Sequence, residues 1–139
     1  MSRSRVELTP VGVVESPLTD PAAAPKQGDE GAPDAWLVFE PEVLDALDGI
    51  GPGDQILVLT WLDRASRDVL KVHPRSDPSR KPQGVFSTRS PDRPNPIGLH
   101  RVEVATLDGP RILVHNLEAL DGTPIVDVKP VLSADVGER

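Results

Sequence analysis

The chain has 139 residues, no cysteine and a formal net charge of −7 at pH 7. This length predicts one domain with a hydrophobic core of its own. The missing cysteines exclude a disulfide framework, thiolate metal sites and cysteine nucleophiles. The acidic balance argues against a broadly basic nucleic-acid binder, and the 16 prolines and 11 glycines favour turns and short strands over long helices.

The first half of the chain predicts short strands around one helix. Val6–Glu15 alternates apolar and polar residues but contains a proline, which indicates an edge or bulged strand. Asp20–Pro33 is a long loop rich in Pro, Gly and Ala. Ala35–Glu40 predicts a strand. Pro41 then suits the first turn of a short helix, with Val43, Leu44 and Leu47 on one face and a glycine to end it.

The second half predicts further short strands joined by turns. Asp54–Leu62 is the most apolar run and predicts a strand buried on both faces. Asp108-Gly109 is a hairpin signal. The other strands are predicted at Val69–His73, Gly84–Thr88, Gly98–Leu107, Arg111–Leu117 and Ile125–Pro130. Seven or eight short strands with one small helix predict a mostly β, single-domain sheet that closes towards a barrel.

Positive charge is concentrated in one part of the chain. Between Arg64 and Arg101 lie nine Lys or Arg residues and three Asp or Glu residues. This segment is either an anion-binding face or a solvated surface balanced by its neighbours. No apolar run is long enough to span a bilayer, and the first residues lack the apolar core of a signal peptide, so we expect a cytoplasmic protein.

The stretch Gly84–Arg101 (GVFSTRSPDRPNPIGLHR) makes the most unusual demands on the backbone. Three prolines within six positions fix their own φ and hold the preceding residues extended. A stiff loop between two strands is a good place for a binding site, and arginines there could bind a carboxylate or phosphate through two hydrogen bonds. The alternative is a proline-rich connection whose polar groups only cap turns. Its polar side chains are Arg89, Asp92, Arg93, Asn95 and His100.

The side chains exclude several common chemistries. His73, His100 and His115 fall on separate elements, which argues against a metal site. There is no nucleophile elbow, dinucleotide-binding glycine motif or P-loop, and few aromatic residues are present to stack bases. Asp127 lies just before Lys129, either as a structural ion pair or as part of a site. The residues alone therefore predict a mostly β domain with a polar, arginine-lined loop site.

Four separated motifs, VGVVESP, APKQG, GVFSTRSPDRPNPIG and DGTPIVDVKP, occur in that order. Together they resemble the TrmO (TsaA-like) family of S-adenosylmethionine-dependent tRNA methyltransferases, from about Val11 to Leu132. The resemblance implies a small β-barrel rather than a Rossmann-like fold, and a homodimer with S-adenosyl-L-methionine near the subunit interface. It also implies methyl transfer to N6 of N6-threonylcarbamoyladenosine at position 37, in the anticodon loop of tRNA.

The resemblance also implies roles for individual residues, and no metal. Arg93, Asn95 and Asp127 are the candidates for catalysis, with Asp121 and Lys129 in or beside the site. The candidate cofactor-binding residues are Pro25, Lys26, Gln27, Trp61, Leu62, Arg89, His100, Asn116, Leu117, Glu118 and Ala119.

The chain departs from the family pattern in two respects. Longer bacterial members carry a second, C-terminal domain, whereas this chain is expected to be one TsaA-like domain with its core at about 6–132. Aromatic residues that often follow the S-P and K-P motifs are here Leu18 and Val131. The alternatives are a methyltransferase that acts on a small molecule and a non-catalytic nucleotide-binding module.

Overall fold

The computed structural model describes residues 4–20 and 31–132. Six strands form a closed antiparallel barrel in the order β1-β2-β7-β6-β3-β8, and β4 pairs with β5 in a separate ladder. This confirms the prediction of a mostly β, barrel-like fold. The strands are β1 Gly12–Glu15, β2 Ala35–Phe39, β3 Gln55–Trp61, β4 Lys71–Val72, β5 Gln83–Gly84, β6 Ile97–Asp108, β7 Arg111–His115 and β8 Pro124–Pro130.

The barrel is filled by the inward-facing side chains of its strands. Successive residues of a strand point to opposite faces, so every second residue is buried in β3 and in β6 as far as Val104. Side chains that are completely buried include those of Val14, Leu37, Val58, Ile112, Val114, Leu117 and Ile125. The expectation that β3 is buried on both faces is wrong, because its alternate residues Leu57, Leu59 and Trp61 lie partly exposed on the outer wall.

Several predicted elements differ from the observed ones. The first strand begins at Gly12 and not at Val6, and Val69–His73 contributes only the two residues of β4. The strand predicted over Gly84–Thr88 ends at Gly84, because the chain turns into the 3₁₀ helix Val85–Ser87. The predicted loop Asp20–Pro33 falls mostly outside the described residues.

The predicted helix is a 3₁₀ helix, Pro41–Leu47, that begins with proline as expected. Of the three residues expected on its buried face, Leu47 is buried, Val43 is partly buried and Leu44 is 45% exposed. A third 3₁₀ helix, Pro74–Ser76, follows β4. No helix among the described residues combines the length and apolarity needed to cross a membrane.

The two ends of the barrel differ. At the upper end, defined here as the end where β3 stops and β6 starts, the chain leaves the barrel between β3 and β6. We call this excursion, residues 63–96, the arm. At the opposite end, the 3₁₀ helix Pro41–Leu47 and β8 border a groove of about 550 Å³ lined mainly by apolar residues.

Candidate functional site

The proline-rich loop of the arm is fastened to the chain that follows β3. The Leu62 amide donates to the Pro96 carbonyl (2.8 Å), and the Arg93 amide donates to the Ser66 carbonyl (3.0 Å). The Ser66 amide in turn donates to Asp92 Oδ1 (2.8 Å). Since both segments leave the upper end of the barrel, these bonds hold the loop above the barrel opening.

The Arg67 side chain also binds the loop, a role that was not predicted from the sequence. Its Nε donates to the Pro94 carbonyl (2.7 Å) and its Nη2 donates to Asn95 Oδ1 (2.9 Å). Its guanidinium also lies 5.2 Å from the centroid of the Trp61 ring, within the range of a cation–π contact. Asn95, a candidate catalytic residue, thus has its amide oxygen engaged by Arg67. No sequence motif marks Arg67.

Arg93 uses its guanidinium to hold the backbone of its own loop. Nε donates to the Ser90 carbonyl (2.7 Å), and Nη2 donates to the carbonyls of Val85 (2.7 Å) and Thr88 (2.6 Å). The side chain is partly buried. These bonds to main-chain oxygens stabilise the turn around residues 85–90, so the observed geometry is that of a residue that positions the loop.

Arg89 lies on the same loop in a different environment. It is exposed and makes no hydrogen bond or ion pair with any residue in the described ranges 4–20 and 31–132. No ion pair joins Arg89 to Asp92, which lies three residues further on and accepts from the Ser66 amide. All five N–H donors of Arg89 are therefore available to a ligand.

Inside the upper end, His100 links two elements through both ring nitrogens. Its side chain is 5% exposed; Nε2 lies 2.7 Å from Thr60 Oγ1 and Nδ1 lies 2.5 Å from Glu118 Oε1. An ionised carboxylate only accepts. In the neutral ring, Nδ1–H therefore donates to Glu118 and Nε2 accepts from the Thr60 hydroxyl, which fixes the tautomer. Thr60 was not predicted, although it is the one polar residue between Ile56 and Trp61.

The close approach of Thr60 and His100 requires glycine at position 98. Gly98 lies opposite Thr60 in the β3–β6 ladder. A Cβ added there would overlap Thr60 Oγ1 and would lie 2.8 Å from His100 Nε2. The glycine of the P-N-P-I-G motif thus makes room for the buried hydrogen bonds.

The segment Asn116–Ala119 presents Glu118 to His100. Asn116 has φ = 57°, a left-handed conformation that asparagine tolerates better than most residues, and its amide donates to Asp34 Oδ1 (3.3 Å). Leu117 is completely buried and Ala119 is 5% exposed, whereas Glu118 is 17% exposed. Because the flanking side chains belong to the core, a ligand at this segment would meet its backbone and the Glu118 carboxylate.

Asp127 lies away from this interior group. It is opposite Leu59 on the outer wall, and its side chain is 52% exposed, with Lys129 Nζ 3.6 Å from Oδ2. The alternative of an ion pair with Lys129 is therefore observed. Within one chain Asp127 does not join His100 and Glu118.

The remaining candidates in the described ranges are Asp121, Trp61 and Leu62. Asp121 accepts from the Ser16 amide (3.0 Å) and ties β1 to the turn before β8. Trp61 lies on the outer wall and Leu62 follows it at the mouth of the barrel, both partly exposed. Pro25, Lys26 and Gln27 lie outside the described residues. In the part of the chain that the structure describes, no group of three or more His, Asp or Glu residues could hold a metal ion.

The pKa of one carboxyl group in the arm, that of Asp77, is lowered. Hydrogen bonds from the Ser79 hydroxyl (2.7 Å) and amide (3.0 Å) lower the pKa of Asp77, and His73 lowers it further. The folded state therefore favours the carboxylate, and this local contribution to stability is lost only as the pH falls through the lowered pKa.

Comparison with known proteins places this geometry in a family. The family described as tRNA-methyltransferase O N-terminal domain matches residues 13–135. A relative from Methanothermobacter thermautotrophicus, named a probable S-adenosyl-L-methionine-binding protein, is 46% identical over 94% of this chain and 93% of its own length. A second, from Archaeoglobus fulgidus and named an S-adenosyl-L-methionine-binding protein, is 43% identical over 88% of this chain and 86% of its own length.

Solved structures agree with the sequence relatives. A crystal structure of TrmO from Pseudomonas aeruginosa has a TM-score of 0.75 and 27% identity, and the match covers 96% of this chain and 60% of that chain. A further crystal structure of TrmO has a TM-score of 0.77 and 27% identity, with 99% and 60% covered. The chain thus spans about three fifths of the length of these TrmO chains. From its fold, its motifs and the match over residues 13–135, the chain belongs to the tRNA-methyltransferase O N-terminal domain family.

Proposed function

We propose that the protein is an S-adenosyl-L-methionine-dependent methyltransferase that acts in the cytoplasm on N6 of N6-threonylcarbamoyladenosine at position 37 of tRNA. The observation that carries the proposal is the family match over residues 13–135. The names of the relatives support the choice of cofactor. The free guanidinium of Arg89 and the Glu118 carboxylate, which His100 orients, would supply polar contacts to this cofactor.

The residues at the upper end fit the charges of the cofactor. S-adenosylmethionine carries one carboxylate, one ammonium and one sulfonium, besides the ribose hydroxyls. The planar guanidinium of Arg89 is free to donate two parallel hydrogen bonds to the carboxylate. Glu118 is oriented by His100 and has lone pairs left to accept from an ammonium or hydroxyl donor. The other proposed cofactor contacts are the backbone of Asn116–Ala119, Trp61 and Leu62, and the motif residues Pro25, Lys26 and Gln27.

In this reaction the residues of the site mainly have to align the acceptor with the methyl group of the cofactor. The bound cofactor supplies an electrophilic methyl group, and the acceptor nitrogen must approach it in line with the departing sulfur. Arg93 and Asn95 serve as positioning residues, because their hydrogen bonds hold the proline-rich loop over the barrel opening. Asp127 is the proposed acceptor of the N6 proton. Because it lies on the outer wall, it could reach an acceptor only at an interface formed by that wall.

We also propose a homodimer that forms through the outer wall of β3 and β6. The register places Leu59 beside Leu99 and Trp61 beside Ile97, and Ile97 and Leu99 are each 43% exposed. Contiguous exposed apolar side chains of this kind mark interaction surfaces. Asp127 is opposite Leu59 on the same wall, so this dimer would bring it to the interface.

A small-molecule acceptor is the second candidate, favoured by the net charge of −7. The two candidates differ in the salt dependence of acceptor binding. Contacts to RNA phosphates release counterions and give an affinity that falls steeply with salt. A small uncharged acceptor would show no such slope.

Titration calorimetry with S-adenosylmethionine on metal-stripped protein tests cofactor binding directly. We expect the wild type to bind and Glu118→Gln, which keeps the shape of the side chain but removes its charge, to bind more weakly. Glu103→Gln is the matched control, since Glu103 is an exposed carboxylate of the same strand as His100. No heat from the wild type at millimolar cofactor would refute the proposal.

A further inference from the structure

Phe86 projects into solvent from a turn that is itself firmly held. Its side chain is 84% exposed, although the preceding residue, Val85, is 2% exposed. The Val85 carbonyl accepts from the Thr88 amide (3.1 Å), the Thr88 hydroxyl (3.0 Å) and Arg93 Nη2 (2.7 Å). The aromatic ring is thus attached to an ordered backbone. Binding of a ligand to the ring would therefore cost little backbone conformational entropy.

The neighbouring strand end exposes a second apolar side chain. The Val85 amide donates to the Leu70 carbonyl (2.9 Å), and Leu70 is 67% exposed. The β4–β5 ladder continues from this point through Lys71 and Gly84. The arm therefore carries an exposed aromatic ring and an exposed aliphatic side chain beside the same end of the β4–β5 ladder.

The surroundings of Phe86 are positively charged. The arm carries five exposed cationic side chains that form no ion pair or hydrogen bond with any residue in the described part of the chain: Arg64, Lys71, Arg80, Lys81 and Arg89. Residues 63–96 contain eight Lys or Arg residues against four Asp residues, so the arm has a formal net charge of +4 in a chain whose total is −7. An exposed ring among unpaired cations has the chemistry of a site for single-stranded nucleic acid, where bases stack on aromatic rings and cations contact phosphates.

We propose that the arm is an RNA-docking element on which Phe86 stacks an unpaired base while Lys71, Arg80 and Lys81 contact the neighbouring phosphates. This inference rests on the proposed function and adds where the acceptor RNA is held. Protein interfaces are depleted of charge at their core, and the contiguous apolar patch of this chain lies on the outer wall of β3 and β6. An RNA loop fits the arm better than a second copy of the chain. The sequence did not predict this element, because the chain has few aromatic residues on which bases could stack.

A binding experiment with a hairpin RNA tests the role of Phe86. The probe carries a fluorescent adenine analogue in its unpaired loop, so that anisotropy reports binding and quenching reports stacking. We expect Phe86→Ala and Phe86→Leu to weaken binding about tenfold or more and to abolish the quenching, whereas Phe86→Trp retains both. Leu44→Ala is the control, since Leu44 is 45% exposed on the 3₁₀ helix Pro41–Leu47. Calorimetry with S-adenosylmethionine should give the same affinity for all four variants as for the wild type.

The salt dependence of the same binding tests the cations. Replacing Lys71 and Lys81 together by Gln should reduce the slope of log affinity against log salt by about 0.7 for each lost contact to a single strand. Arg5→Gln is the matched control, because Arg5 is exposed and lies outside the arm.

The possible results separate this inference from the proposed function. If the wild type binds the cofactor but no RNA, both the RNA acceptor and the docking arm are wrong. If RNA binds and the Phe86 and lysine variants behave as the wild type, the arm is not the docking element while the proposed function stands. If Phe86→Ala changes the mass of the protein in light scattering and leaves RNA binding unchanged, a second copy of the chain occupies the surface and the inference is overturned.

Discussion

His100 Nδ1 lies 2.5 Å from Glu118 Oε1, and this contact joins the strand that follows the proline-rich loop to the segment that follows β7. The two residues are 18 positions apart and contact each other at the upper end of the barrel. Thr60 on β3 completes the group from the other side of the ring. Any substitution that displaces His100 should therefore also displace Glu118 and weaken the proposed cofactor site.

Gly98→Ala should disturb this group without removing any of its atoms. The added Cβ would overlap Thr60 Oγ1 and crowd His100 Nε2, and such overpacking typically costs about 1–3 kcal/mol. We expect a lower denaturant midpoint and weaker binding of S-adenosylmethionine. Gly51→Ala is the control, because nothing lies within 4 Å of a Cβ added there. Equal midpoints and equal cofactor affinities for the two variants would show that the packing around Gly98 is not tight.

Arg93→Lys should loosen the arm. Lysine keeps the charge but cannot donate at once from Nε and Nη2 to three separate carbonyls as Arg93 does. The loss of charge-assisted hydrogen bonds should cost about 1.5–3 kcal/mol. Hydrogen exchange should rise at residues 85–90 and stay unchanged in β7. Unaltered protection of that turn would contradict the assignment of Arg93 to positioning.

Arg89→Lys should show the reverse pattern. Arg89 has no partner among the described residues, so its loss should leave the free energy of unfolding within about 0.5 kcal/mol of the wild type. If Arg89 binds the cofactor carboxylate through a fork, both Arg89→Lys and Arg89→Ala should lose tens- to thousands-fold in affinity or rate, about 2–5 kcal/mol. Wild-type methylation by both folded variants would rule out a role in the site.

Leu99→Asp should separate the proposed dimer. Leu99 is 43% exposed within the apolar patch of the outer wall, and a charge buried there would remain unpaired. Light scattering should give a mass of twice 14.9 kDa for the wild type and the monomer mass for the variant. Leu44→Asp, at 45% exposure outside that wall, should remain dimeric. A monomeric wild type at micromolar concentration would disprove the dimer.

The sequence predicted the barrel because alternation, prolines and glycines act locally. Pro41 began a helix and Asp108-Gly109 made a hairpin where their backbone preferences required it. The strand expected over Gly84–Thr88 was wrong because the Val85 carbonyl accepts from Thr88, three residues on, and from the Arg93 side chain, eight residues on. The alternation of apolar and polar residues carries no information about such bonds between a side chain and the backbone.

The candidate site was predicted less completely for a similar reason. The motifs made His100, Glu118 and Arg89 candidates, and their roles stay predictions. Thr60 and Arg67 carry no motif, and their contacts depend on strand register and loop packing. The same limit applied to Arg93, whose bonding to three carbonyls became visible only in the folded arm.

Mass spectrometry of tRNA nucleosides after incubation with the protein tests the central claim most directly. The tRNA should contain N6-threonylcarbamoyladenosine without its methyl group, and the S-adenosylmethionine should carry a deuterated methyl group. The account predicts that the label appears on N6-threonylcarbamoyladenosine and depends on Arg89. Unlabelled N6-threonylcarbamoyladenosine in the presence of protein that binds the cofactor would contradict it.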